Sequence, residues 1–147
     1  MKKMSLWYLI LFLNIGCAVL ILKFLNDCGT FFIATVDGDK PEVRPFGAAM
    51  EFEGNLYVTT GNKKAVYREL KANPNVALTA ASDMKWLRLN AVAEEDDRRE
   101  ARVAMMEAHP ELGTMYNVDD GIMTVFKIAN GTAAICSFTE PPKEYTL

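Results

Sequence analysis

The chain has 147 residues, half of them hydrophobic and 24% charged, with a formal net charge of −3. That composition fits one domain of ordinary size plus at most a short appendage, and it excludes disordered, collagen-like and low-complexity classes. Residues 1–25 carry Lys2, Lys3 and Lys23 with no acid, so the −3 overall becomes −6 for the remainder. No nucleic-acid partner is expected of so acidic a body, because phosphate contacts need clustered Lys and Arg.

Residues 6–22 form an apolar run of 17 residues in which Asn14 is the only polar member. As a helix at ~1.5 Å per residue it spans about 25 Å, a little short of a bilayer core of about 30 Å. Lys23 can snorkel and let Phe24 and Leu25 extend it. Three readings stay open. The run is a membrane anchor, giving a cytoplasmic domain its one membrane contact through residues 6–22. Alternatively, residues 1–17 are an extension or a mis-set start, and the domain proper, 18–147, opens on a core-facing helix from about Ala18. The third reading, a cleaved signal, lacks a convincing small-residue cleavage site. Cys17, Cys28 and Cys136 have no short spacing and no His partners, so they read as small buried apolar residues of a reducing compartment, with no metal site expected.

Gly29 stops the first helix at about Cys28. Residues 30–36 are β-branched and aromatic and predict a strand, followed by turn chemistry at 37–41. A second, long strand is expected over 42–52, and a tight turn at 53–55 leads into a strand at 56–60. Two hairpins in succession point to an antiparallel meander and not a βαβ unit. Residues 61–64 open a short helix over 65–72, with Val66, Leu70 and Tyr67 inward and Asn73-Pro74 closing it. Strands at 76–81 and 86–93 follow, joined at Ser82-Asp83. Asp97 and Glu100 have capping-box spacing for a helix to about Ala108, carrying Ala101, Ala104, Met105 and Ala108 on one face. Glu94–Arg98 and Glu95–Arg99 read as helix-spaced ion pairs. A last hairpin is predicted at 123–129 and 132–138 around Asn130-Gly131, and 140–142 end regular structure. The fold class is therefore mainly β with short α-helices: six to seven antiparallel strands in a small closed or split barrel, which removes exposed edges.

The common catalytic signatures are absent, including the Rossmann glycines, the phosphate loop, the Gly-x-Ser-x-Gly elbow and paired metal-binding histidines. His109, the single histidine, stands beside Pro110 as an N-cap or surface residue. The informative stretch is 61–64, where a strand ending in two threonines passes into a helix that starts with two lysines. Free N–H groups at a helix start, joined by ammonium charges, suit an anion such as phosphate. Arg44, in mid-strand before Pro45, needs a partner or a ligand in a sheet that is otherwise apolar inside. Alternation places Arg44, Phe46 and Ala48 on one face, and Thr59-Thr60 end the neighbouring strand of the meander.

The segments 30–39 (TFFIATVDGD), 43–47 (VRPFG), 56–64 (LYVTTGNKK), 70–76 (LKANPNV) and 86–89 (WLRL), with 116–121 and 137–139 in order after them, resemble the small FMN-binding split-barrel proteins related to pyridoxamine 5'-phosphate oxidase. The resemblance runs from about Ala18 to the C-terminus. It implies a homodimer with FMN held in grooves between two barrels. Arg44 and Lys64, assisted by Lys63 and Asn62, would neutralise the FMN phosphate. The backbone of Pro45, Phe46 and Gly47 would lie along the flavin, and Val58, Thr59 and Thr60 would bond or flank its ring. Trp86 and Arg88 would approach from the partner subunit. The implied activity is that of an FMN-dependent oxidoreductase acting on a small substrate or electron donor, with NAD(P)H binding transiently and no catalytic side chain identified. A C-terminal Arg-Leu-x-x-Arg-type substrate motif is missing, which argues against the full pyridoxamine phosphate oxidase reaction. The alternative from another class is a non-catalytic module that stores or senses flavin or haem.

Overall fold

The computed structural model describes residues 5–147, apart from the side chains of residues 9–15. Helix α1 (Leu6–Cys28) ends where Gly29 takes φ +78° and donates its N–H to the carbonyls of Leu25 and Asn26. That left-handed geometry costs a glycine nothing. The later half of the apolar run is a core helix: Ala18, Ile21 and Leu25 are at most 1% exposed. Ile21 and Leu25 join the main apolar cluster, and burying each contributes about 1.5–3 kcal/mol. Val19 and Leu20 face outward. Among the described residues no helix is long and apolar enough to cross a membrane, so the tether expected from residues 6–22 is not supported. The helix passes unbroken through the 17/18 boundary. Residues 1–4 of the expected extension, and the side chains at 9–15, lie outside the described residues.

Eight strands follow: β1 (Phe31–Asp37), β2 (Lys40–Phe46), β3 (Ala49–Phe52), β4 (Asn55–Gly61), β5 (Asn75–Ser82), β6 (Lys85–Asp96), β7 (Met123–Ser137) and β8 (Lys143–Thr146). Helix α2 (Ala65–Ala72) separates β4 from β5, and α3 (Arg99–Ala108) with a 3-10 turn (Pro110–Thr114) lies between β6 and β7. The sheet order is β2-β1-β5-β6-β7-β4-β3, with β8 beside β7, and the pairing is antiparallel throughout.

One connection fixes the shape. β2 and β3 stand at opposite ends of that order, yet only Gly47 and Ala48 separate them in sequence. A two-residue link cannot span an open seven-strand path at ~4.8 Å per strand, so the sheet curls until its ends meet. The result is the mainly β split barrel expected from the strand pattern. β4 is buried on both faces: Leu56 and Val58 enter the main core, while Tyr57 enters a second cluster with Ala101, Met105, Leu112 and Val125.

Five local expectations change. The long strand at 42–52 is two strands, because the chain turns the barrel corner at Gly47-Ala48 and exchanges its partner β1 for β4. The Asn130-Gly131 hairpin is absent: β7 continues through both halves, and both pair with β6 across a bulge between Asn90 and Val92. Asn130 takes φ +53° within the strand, and a Cβ on Gly131 would overlap the Asn90 carbonyl oxygen and lie 2.6 Å from Ala91 Cα. The Asn-Gly signal is spent on this close approach. Asp97 does not cap α3. β6 runs on to Asp96, Arg98 becomes the N-cap residue, and Asp96 accepts its backbone N–H. Because Glu94 and Glu95 sit on that strand, they pair with Lys127 and Lys71 instead of with Arg98 and Arg99. Finally, the chain bends at 138–140 and passes through Pro141-Pro142 into β8, which adds an eighth strand.

Candidate functional site

Where the barrel ends meet, a groove of about 390 Å³ opens, within the range of small-molecule sites. One wall is the β2–β3 corner, with Arg44, Pro45, Phe46, Gly47 and Ala48. Opposite it stand Thr59 and Thr60 from the end of β4, with Lys64 and Val66 at the start of α2. The meander was expected to bring Arg44 beside the threonines as strand neighbours. They meet instead by barrel closure, since β2 and β4 share no hydrogen bonds.

The third wall was not foreseen. Glu111, Leu112, Met115 and Tyr116 come from the 3-10 turn after α3. His109 fixes this segment to the barrel corner: its Nε2 donates to the Ala49 carbonyl at 2.7 Å, and its Nδ1 lies 3.0 Å from a Glu111 carboxylate oxygen. The Glu111 carboxyl is held below its ordinary range, first by its own backbone N–H and then by His109. Beyond Tyr116, the Asp120 carboxylate accepts the N–H groups of Asn117, Ile122 and Met123. These bonds tie the loop into a rigid wall and hold the Asp120 carboxyl low.

Lys64 is the N-cap residue of α2, and no side chain caps that helix start. First-turn N–H groups therefore stand without a side-chain acceptor beside an ammonium group, a favourable arrangement for an anion. The Lys64 Nζ lies 5.9 Å from the centre of the Tyr116 ring. Tyr116 in turn packs on Gly61, where a Cβ would come within 3.0 Å of its hydroxyl.

Arg44 has the partner its position demanded. Its Nη2 donates to Glu69 Oε2 at 2.5 Å and its Nη1 to Thr35 Oγ1 at 2.5 Å, while Thr35 Oγ1 donates to the same carboxylate oxygen at 2.6 Å. The Glu69 side chain is 2% exposed and that of Arg44 23%. Glu69 was legible only as spacing: Val66, Glu69 and Leu70 share the buried face of α2.

Most of the remaining expected site residues lie outside the groove. Alternation turns Val58 into the main core, away from the groove. Asn62 braces the loop, donating its amide to the Gly121 carbonyl at 2.7 Å, and its Oδ1 is buried without a partner among the described residues. Lys63 is exposed and outside the groove lining. Thr59 does line the groove, but its hydroxyl proton is donated to the Thr124 carbonyl, which leaves only acceptor capacity for a ligand. Trp86 and Arg88 lie on the outer face of β6, over a separate depression with Phe32 and Val43, and do not reach the groove of their own chain. Among the described residues no cluster of His, Cys, Asp and Glu could hold a metal ion.

The family model for pyridoxamine 5'-phosphate oxidase matches residues 20–139. Among solved structures, a NimC/NimA family protein from Clostridium acetobutylicum is 39% identical, with 93% of this chain and 96% of that one covered at a TM-score of 0.90. General Stress Protein 26 from Bacillus anthracis is 19% identical, covering 86% and 95% at a TM-score of 0.70. The haem storage protein HutZ from Vibrio cholerae is 21% identical, covering 76% and 88% at a TM-score of 0.59, so it and the stress protein share the fold alone. No curated protein matched the chain. With its family model matched over most of its length and this barrel beneath it, the chain belongs to the pyridoxamine 5'-phosphate oxidase family.

Proposed function

We propose that this protein is a flavoprotein oxidoreductase that binds FMN in the groove between the β2–β3 corner and α2. One observation carries the reading: two cations, Arg44 and Lys64, converge with an uncapped helix start on a slot walled by Phe46, Val66, Leu112 and Tyr116. That donor set fits a phosphate joined to a flat apolar ring, since phosphate wants charge-assisted donors and the ring wants a slot with few polar edges. Lys64 and the first-turn N–H groups of α2 would hold the phosphate together with the outward N–H groups of Arg44. The Pro45–Gly47 backbone and Tyr116 would flank the ring. Bound there, FMN supplies two-electron redox chemistry, while the protein contributes position, charge and exclusion of water.

In this reading the protein acts as a homodimer, and Trp86 and Arg88, which lie outside their own groove, would serve that of a second copy. A haem reading, suggested by the name of the Vibrio relative, is less well supported. Both ring nitrogens of His109, the single histidine, already hold partners, and ligation would require one of them to give up its bond to Ala49 or Glu111.

The test is anaerobic reduction. Protein reconstituted with FMN and mixed with NADH or NADPH should lose its flavin absorbance and regain it in air. Flavin bands that no nicotinamide bleaches, while dithionite still does, would contradict a nicotinamide-driven oxidoreductase and favour storage.

A further inference from the structure

We propose that Glu69 is a positioning residue for the phosphate end of the groove, holding the Arg44 guanidinium in the one orientation that leaves its remaining N–H groups facing the ligand. The proposal rests on the FMN reading above and goes further, because it assigns a role to a residue that never touches the groove.

The chemistry around Glu69 is unusual for a core. α2 buries Val66, Glu69 and Leu70 along one face, and Glu69 is the charged member, 3% exposed. Its Oε2 accepts two bonds, from Thr35 at 2.6 Å and from Arg44 at 2.5 Å, and Thr35 is itself 3% exposed. Arg44 also lies 3.5 Å from the Ile33 carbonyl through Nη1. The guanidinium is thus fixed from behind by two elements, β1 and α2, and in front it lines the groove.

A buried ion pair is seldom the most stable way to fill such a space, since well-packed apolar residues of similar volume often serve equally well or better. What this pair does provide is orientation. Arg44 is a long side chain on an edge strand, and unpinned it would sample many rotamers, losing much of its value as a planar donor. With Glu69 and Thr35 occupying one side of the fork, the open side can point only outward. Lys64, by contrast, has no carboxylate within ion-pair distance among the described residues and acts as an adjustable charge.

Binding of FMN is compared with binding of riboflavin, which lacks the phosphate, by flavin fluorescence quenching on the full chain. The variants are Glu69→Ala, Glu69→Gln and Thr35→Val, with folding checked by circular dichroism. Wild type should prefer FMN. Glu69→Ala should weaken FMN at least tenfold and leave riboflavin within twofold. Glu69→Gln, which keeps an acceptor for Arg44, should recover FMN binding to within about threefold of wild type. If Glu69→Ala does not fold, Thr35→Val carries the test and should lower the FMN preference about threefold. A folded Glu69→Ala or Thr35→Val with the wild-type FMN-to-riboflavin ratio overturns the proposal. So does an equal loss of both flavins, the signature of a purely structural residue. A wild-type protein with no preference for FMN over riboflavin overturns the groove assignment itself, and the role of Glu69 with it.

Discussion

Arg44 and Lys64 both line the groove, but removing each should have different consequences. Arg44→Ala strips the partner from a carboxylate that is 2% exposed and leaves Glu69 and Thr35 facing each other without the cation. Breaking a buried pair from one side costs about 3–5 kcal/mol. Against a total stability of ~5–15 kcal/mol, that is a large fraction of what holds the domain together. Lys64→Ala removes an exposed side chain whose contact with Tyr116 is a cation–π pair at 5.9 Å, so its cost should stay within about 1 kcal/mol. In FMN binding the two should look alike, each losing ~1.5–3 kcal/mol, tenfold or more. Urea unfolding without flavin separates the effects. Arg44→Ala should shift the midpoint strongly, and Arg44→Ala combined with Glu69→Ala should lose clearly less than the two single losses added together. An Arg44→Ala protein within about 1 kcal/mol of wild type would show that the pair is solvated and that the reasoning about its burial is wrong.

Gly131→Ala should be poorly tolerated, because its Cβ would overlap the Asn90 carbonyl and crowd Ala91 Cα at 2.6 Å. A loss of about 1–3 kcal/mol corresponds to a fall of several degrees in Tm by calorimetry. Ile21→Ala should cost ~2–5 kcal/mol in urea unfolding, whereas Leu20→Ala, at a residue 48% exposed, should cost far less. Equal losses would mean that α1 does not pack as described. The Tyr57–Asp96 pair should make stability depend on pH at both extremes. The Asp96 carboxyl is lowered from 3.8 to about 2, chiefly by the Arg98 side chain. Between those values the unfolded state binds more protons, so stability is retained above pH 3.8 and lost on acidification toward pH 2. The Tyr57 hydroxyl is raised from 10.0 to about 12 by burial and then by Asp96, so the native state holds the extra proton and stability falls from about pH 10 upward. Asp96→Asn should flatten the acid limb in urea titrations at stepped pH, and an unchanged limb would assign acid sensitivity to other carboxylates.

The strands and α2 were legible because their signals are local. β-Branched and aromatic residues mark β1, and the Asn73-Pro74 pair marks the end of α2 at Ala72. The main differences come from strand pairing, which is a non-local event. Nothing in residues 42–52 states that the chain changes partner at Gly47, because both halves are extended and only the pairing differs. Asn130-Gly131 is a sound turn signal, overridden because β6 is long enough to pair with both flanks. At the site, Thr60 and Lys64 could be chosen from the sequence as a hydroxyl and a charge at a strand end and a helix start, and Arg44 as a charge in mid-strand. Tyr116 and Glu111 could not, because they reach the groove through a turn held by His109 on the Ala49 carbonyl. The need of Arg44 for a partner was legible, but the identity of Glu69 depended on where α2 packs.

The central claim is that the groove takes a flavin by its phosphate, and the most direct measurement is calorimetric titration of wild type and Lys64→Ala with FMN and riboflavin at two salt concentrations. Wild type should bind FMN at one per chain, at least tenfold more tightly than riboflavin, with the advantage shrinking as salt rises and largely lost in Lys64→Ala. Equal binding of the two flavins, or no binding of either by the folded protein, would contradict the account.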